Sequence, residues 1–313
     1  LARQHLKVLE KLGAPSGVKI ALLTGREKGK PREHLLSELA DGTIQIAIGT
    51  HALFQDTVAF KNLGIAVIDE QHRFGVHQRL LLAAKTEAQS GDTNTLLMTA
   101  TPIPRTLSLT AYGDMDVSRI MSKPPGRQPV DTRTIPIARL DEVAESMRRA
   151  IDSGARIYWV CPLVSESELI DLAAAEDRAV DLRKRFGKRV GLAHGQMKGA
   201  ERDDVMARFA AGDLDILVAT TVIEVGVDVP EATVMVIEHA ERFGLAQLHQ
   251  LRGRVGRGAQ QSTCLLLYAQ PLGETAQARL AIMRETDDGF RIAEEDLRLR
   301  GAGEVLGTRQ SGL

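Results

Sequence analysis

Two adjacent carboxylates, Asp69 and Glu70, follow the short apolar run Gly64-Ile65-Ala66-Val67-Ile68. Carboxylates delivered side by side from a buried strand suit an ATP site, where Asp69 would hold Mg²⁺ through water and Glu70 would align the attacking water. Such a pair also caps ordinary strands, so its weight depends on what else the chain supplies. Far downstream, Gln250-Leu251-Arg252-Gly253-Arg254-Val255-Gly256-Arg257 places arginines among glycines. The planar guanidinium groups of Arg254 and Arg257 can grip phosphate oxygens in a bidentate manner, and the glycines leave the backbone unencumbered. Together the two segments predict one ATPase split across two domains.

Hydroxyls recur after other apolar runs. Thr99 and Thr101 follow Thr95 to Met98, and Thr220 and Thr221 follow Ile216 to Ala219, with Glu224, Gly226 and Asp228 close behind. At the carboxyl edge of an open α/β sheet, such groups can meet a nucleotide or a nucleic-acid phosphate. The plain readings are a helix cap at Thr101-Pro102 and an ordinary strand-to-helix turn after Thr220. Gly25-Arg26-Glu27-Lys28-Gly29-Lys30-Pro31 imitates a phosphate loop, but it has three residues between its glycines and a proline where the Mg²⁺-binding hydroxyl belongs. No other segment supplies a P-loop. His194 has no second ligand nearby, which favours a structural or DNA-backbone role over a metal.

The elements that must position these groups alternate. Strands are expected at Val18 to Leu23, Ile44 to Ile48, Ile65 to Ile68 and Thr95 to Met98 in the first half. In the second half they are expected at Arg156 to Val160, Val190 to Ala193, Ile216 to Ala219, Val234 to Ile237 and Thr263 to Leu267. Helical stretches such as Arg32 to Leu39 and Glu168 to Phe186 separate them, as in βαβ units around a parallel sheet. The run Ser122 to Pro129, rich in Pro and Gly, predicts a linker. From Thr275 to Leu299 two helical stretches form a hairpin, and Gly301, Gly303 and Gly307 then make a loop.

With 313 residues and 43% hydrophobic content, the chain has enough apolar material for two domains. Its 40 basic and 41 acidic residues give a net charge of −1, so any phosphate contacts must sit in a local groove rather than a global basic field. Two cysteines, Cys161 and Cys264, without ligand-spaced partners argue against a disulfide framework or a zinc site and fit a reducing cytosol. No apolar run is long enough for a membrane helix, and the start Leu1-Ala2-Arg3 lacks both Met and a signal peptide, which reads as a fragment beginning upstream.

These motifs resemble the superfamily 2 helicases, and within them the RecG family. Asp69 through Val76 looks like the Walker B segment, Thr99 through Thr106 like motif III, Thr220 through Pro230 like motif V and Gln247 through Gly258 like motif VI. The resemblance extends to Gly49 through Leu53 and to the tail Gly307 through Gly312. The Mfd translocases share the Arg-Phe-Gly-Val run, motif VI and a similar tail; His72, Gly258 and Thr308-Arg309 favour RecG, whereas Ala302 stands where RecG tails usually carry Pro.

The resemblance implies an α/β fold of two RecA-like parallel-sheet lobes of the P-loop NTPase type, the first truncated at its amino end. The expected domains are residues 1–121 as first lobe, 122–134 as linker, 135–272 as second lobe and 273–313 as helical hairpin and translocation motif. It also implies a bacterial, cytoplasmic, nucleoid-associated and monomeric ATP-dependent 3′ to 5′ translocase acting on forks and Holliday junctions. ATP and Mg²⁺ are its expected cofactors. Arg254 and Arg257 would act as arginine fingers, Gln250 would link nucleotide state to lobe closure, and Gly226 and Asp228 would join the nucleotide site. His72, Thr99, Thr101, Thr220, Thr221, Arg300, Arg309 and Gln310 would couple closure to DNA. The alternatives are an Mfd-type translocase and a chain that only binds DNA. With the phosphate-loop strand absent, the first sheet is expected to expose apolar edges, leaving the isolated chain poorly soluble or loosened in its first lobe.

Overall fold

The computed structural model describes residues 2–70, 93–100, 116–122, 124–162, 168–220, 229–258 and 260–300. The chain divides into two compact units, Leu1–Ala100 and Thr101–Leu313. His72, Thr101, Thr221, Gly226, Asp228, Arg309 and Gln310 lie outside the described residues.

In the first unit, β1 (Ile20–Leu23) pairs in parallel with β2 (Ile46–Gly49), and β3 (Ile65–Ile68) with β4 (Asn94–Leu97). Among the described residues these are two separate two-stranded ladders. Leu23, Leu39, Ile44, Ala52 and Val58 bury a small core beneath the first. Ile65, Val67 and Leu96 of the second, and Met98 just beyond it, remain exposed. The imitation phosphate loop is a turn closed by Glu27, whose carboxylate accepts from both Thr24 N and Thr24 Oγ1. It leads into the helix Lys30–Ala40, which holds Pro31 in its first turn, where a missing N–H costs nothing.

The second unit contains a parallel sheet whose described strands run in the order β5-β10-β9-β6-β8-β7. These are β5 (Val130–Pro136), β6 (Arg156–Val160), β7 (Val190–Ala193), β8 (Ile216–Ala219), β9 (Ala232–Ile237) and β10 (Ser262–Tyr268). Five of the six follow the expected apolar runs. β5, part of which falls in the expected linker, pairs in parallel with β10 along its whole length. Alternate side chains pack on opposite faces of the sheet, as the strand pleat dictates. Tyr158, Val160, Leu217, Met235, Ile237 and Leu266 meet the helices Gly199–Ala211, Leu245–Arg252 and Glu274–Glu285. Ile157, Trp159, Val218, Val236 and Leu267 meet the helices Leu140–Asp152 and Glu168–Phe186. The expected hairpin is present as Glu274–Glu285 and Gly289–Arg300.

Gly49 closes β2 where its backbone abuts Leu23 O and the Leu53 side chain, so an added Cβ would have no room. At Gly64 a Cβ meets nothing within 4 Å. Gly49→Ala is expected to destabilise the first unit by about 1–3 kcal/mol in denaturant unfolding, through overpacking against backbone that cannot yield. Gly64→Ala should stay within about 0.5 kcal/mol.

Candidate functional site

The register Ile68↔Leu97 brings the turn that leaves β3 beside the one that leaves β4. Asp69 and Glu70 therefore emerge next to Met98 and Thr99 at the carboxyl edge, the side of a parallel sheet where ligands bind. Asp69 is held at both oxygens: Oδ1 accepts from Glu70 N at 2.9 Å, and Oδ2 lies 3.3 Å from His5 Nε2. The Asp69 side chain keeps 40% of its exposure, which leaves it open to water. His5 had no mark in the sequence reading, because 64 residues separate it from Asp69 and the helix Ala2–Gly13 brings them together.

In the second unit the helix Leu245–Arg252 buries Leu245, Leu248 and Leu251, spaced three apart along one face. The same spacing leaves Gln250 half-buried on its flank. The helix ends at Gly253, whose N–H donates to His249 O at 3.0 Å, and Arg254 N follows onto Leu251 O at 3.0 Å. Val255 is fully buried and pins the centre of the turn, while Arg254 is half-buried and Arg257 exposed. Gly256 has φ +72 and sits against Val130, so a Cβ there would be strained in backbone and crowded in space. Val130 opens β5, so this edge strand backs the turn that presents the two arginines.

A second polar edge lies at the ends of β7 and β8. Thr220 N donates to Ala193 O at 3.4 Å, which brings Thr220 beside His194. Thr220 is fully buried, and among the described residues neither its Oγ1 nor the buried His194 Nδ1 has a hydrogen-bond partner. Arg300 closes the helix Gly289–Arg300.

Several titrating groups are shifted. Burial holds the Cys161 thiol protonated, and the nearby Glu238 carboxylate adds to the effect. Burial pushes the Cys264 thiol up to about 12. Burial, and next the Arg252 charge, bring His249 down from 6.5 to about 4. Asp69 and Glu70 supply the hard oxygen donors that Mg²⁺ prefers. Among the described residues no cluster of three or more His, Cys, Asp or Glu side chains could hold a metal ion by itself.

Comparison with known proteins gives this arrangement its context. Residues 1–110 match the DEAD/DEAH box helicase family, and residues 139–259 match the helicase conserved C-terminal domain. Two helicase family models thus match successive parts of the chain. Residues 286–313 match the family described as ATP-dependent DNA helicase RecG, domain 3, C-terminal. The RecG helicase of Escherichia coli K12 is 53% identical over 314 residues, which cover all of this chain and 45% of that protein. RecG of Synechocystis is 50% identical over 315 residues, covering all of this chain and 37% of that protein. Over its whole length the chain is homologous to the carboxyl-terminal portion of the RecG helicases, and it spans less than half the length of these relatives. A structure of RecG bound to a three-way DNA junction superposes with a TM-score of 0.77 at 45% identity, covering 97% of this chain and 39% of that one. Yeast Dbp5 bound to RNA and ADP BeF3, at 16% identity and TM-score 0.61 over 96% of this chain and 72% of that one, shares the fold.

His249 links the second unit's stability to pH. Above 6.5 the imidazole is neutral in both folded and unfolded chains, and its contribution is fully present. As pH falls from 6.5 to about 4, the unfolded chain takes up a proton that the folded one refuses, and stability is lost. The expected loss from this group is ~3 kcal/mol across that window. Denaturant unfolding between pH 7 and pH 4 checks it: His249→Gln should show a shallower decline than the unaltered protein.

Proposed function

We propose that the protein carrying this chain is an ATP-dependent 3′ to 5′ translocase on double-stranded DNA that remodels stalled forks and Holliday junctions in repair and recombination. The observation that carries the reading is the Val255-anchored turn, which holds Arg254 and Arg257 at the end of a buried helix. Arg254 and Arg257 stabilise charge developing on the γ-phosphoryl group, and Gln250 links nucleotide state to closure. Asp69 would hold Mg²⁺ through water, and Glu70 would orient the attacking water. The ion's contribution is to neutralise phosphate charge. Gly226 and Asp228 complete the nucleotide contacts. His72, Thr99, Thr101, Thr220, Thr221, Arg300, Arg309 and Gln310 pass closure to DNA, and the vacant His194 Nδ1 and Thr220 Oγ1 suit a backbone phosphate.

Homology to RecG along the whole chain, with the RecG-specific match at residues 286–313, favours RecG-type chemistry over the Mfd alternative. The solved relative on a three-way junction supports branched DNA as the substrate. No described helix is long and apolar enough to cross a membrane. We assign the protein to the bacterial cytoplasm, in association with the nucleoid and as a monomer.

The full-length protein should hydrolyse ATP in response to branched DNA. Arg257→Ala there is expected to lower turnover by roughly 10³-fold or more while leaving DNA binding intact. Near-normal turnover in that variant would remove the arginine-finger role. Filter binding to a three-way junction, with and without a non-hydrolysable ATP analogue, separates the binding-only alternative, which requires affinity indifferent to nucleotide.

A further inference from the structure

At the end of the second unit's sheet, β5 and the helix Glu274–Glu285 enclose a groove of about 690 Å³. β5 pairs with β10 on one side, and among the described residues no strand lies on its other side. Val130 packs against the core that holds Leu280 and Met283, so the pleat turns Thr134, an even number of residues on, toward the same helix. Along that helix Gln277, Leu280, Ala281 and Arg284 recur at steps of three and four and form one stripe of the groove wall. At 1.5 Å per residue the stripe runs for about 10 Å, the span of about three residues of extended chain.

The floor is apolar. Leu280 is 3% exposed, and Leu272 packs against the same core. Around it stand the Thr134 and Tyr268 hydroxyls, the Gln270 and Gln277 amides and, toward one end, the Arg284 guanidinium. Among the described residues none of these five side chains enters a hydrogen bond or an ion pair. The contrast with Arg279 on the same helix is direct, since that guanidinium donates to Phe243 O at 3.1 Å.

The lining selects among ligands. Nucleic acid is held by several cations along its backbone, whereas Arg284 is the one cation in this lining and Glu274 and Glu285 stand at the two ends of its helix. A small molecule needs enclosure, but Gln270, Pro271, Gln277 and Arg284 are all exposed. An extended peptide needs an unpaired strand edge for its main chain and a side-chain groove beside that edge, and both are present. Charges that guard a strand edge lie on the opposite face, where Asp131 and Arg133 pair with each other at 2.7 Å.

We propose that this groove binds an extended peptide of a partner protein, which adds a strand to the free edge of β5, seats apolar side chains on Leu280 and Ala281 and sets a carboxylate against Arg284. The site uses neither nucleotide nor DNA, so it stands apart from the translocase reading.

The test is fluorescence anisotropy of the full-length protein with labelled probe peptides. One carries Val-Thr-Val-Thr-Asp between Gly-Ser spacers, a second carries the same residues in reverse order, and each has a counterpart with Asn in place of Asp. One of the two orders is expected to bind with Kd of about 10–100 μM, and its Asn counterpart about tenfold more weakly. Arg284→Gln should erase that difference, and Ala281→Lys, which fills the groove, should abolish binding. Both variants should keep the thermal transition of the unaltered protein, because neither position is buried. Amides of residues 130–136 should exchange more slowly when the peptide is bound.

No binding of either order at about 1 mM overturns the proposal, as does binding that both variants leave unchanged. Binding without slower exchange in residues 130–136 overturns strand addition. Three further outcomes assign the groove elsewhere and also overturn the proposal. They are a single-stranded oligonucleotide displacing the peptide, a dimer of the unaltered protein that Ala281→Lys dissolves, and peptide binding seen only after part of the full-length chain is cut away.

Discussion

The central strands of the second unit are apolar on both faces, and this governs where chemistry can occur. Ile157, Tyr158, Trp159 and Val160 of β6, all of β8 and nearly all of β9 are withdrawn from solvent, with helices on either side of the sheet. A strand so enclosed cannot hold an unpaired polar side chain without a penalty of about 1–3 kcal/mol or more. Polar groups are therefore displaced to the carboxyl ends, where His194, Thr220 and Glu238 follow β7, β8 and β9. Glu238 illustrates the rule. It is 5% exposed, and its carboxylate accepts from the Trp159 indole and from the Arg178 guanidinium. Removing Arg178 would strand a buried charge; the pair exists because the carboxylate does.

Several arginines of this unit brace helix ends, some of them half-buried and some exposed. Arg156 Nη1 donates to Phe209 O and Ala210 O, Arg189 Nη2 to Gly212 O, and Arg148 Nη2 to Arg185 O. Each of these caps carbonyls near a helix end with a guanidinium from elsewhere in the chain, as Arg252 does at Met283 and Thr286. Arg257 Nε donates to Gly253 O at 3.3 Å, and its side chain stays exposed. The same side chain thus serves as a brace wherever its planar fork meets helix-end carbonyls.

The central strands of the second unit were legible in the sequence because burial on both faces writes an unbroken apolar run, and β6, β7 and β8 carry the expected boundaries, as does the half-exposed β3. β5 was not. Val130-Asp131-Thr132-Arg133-Thr134 mixes polar and apolar residues and follows Pro129, which is how an edge strand with one open side reads. It forms because β10 offers an unpaired edge, a fact held in the tertiary structure and not in residues 130–136. The carboxylates and arginines of the candidate site were legible as types and spacings. Which of Arg252, Arg254 and Arg257 faces inward was not, since all three share one local pattern and only the hairpin, more than thirty residues downstream, supplies the carbonyls that claim Arg252. The link between His5 and Asp69 was hidden for the same reason.

Strain is placed at the strand exits as well. Among the described residues other than glycine, positive φ occurs at Glu70, at +54, and His239, at +49. Glu70 is two residues beyond β3 and His239 two beyond β9. A left-handed backbone costs a side-chain-bearing residue about 1–2 kcal/mol and persists only where neighbours hold it. At Glu70 the hold is the Asp69 carboxylate on its own N–H. At His239 it is a chain of contacts, from His239 Nδ1 to Glu241 Oε1 at 3.1 Å and from Glu241 Oε2 to Ala269 N at 3.3 Å. Both residues turn the chain abruptly away from a strand, one into the acidic pair and the other into the segment that ends in the arginine turn. A relaxed backbone at either point would extend the strand and carry the carboxylate or the helix Leu245–Arg252 along it, away from the carboxyl edge. The left-handed residues are thus part of what sets the position of the two groups on which the proposed chemistry depends.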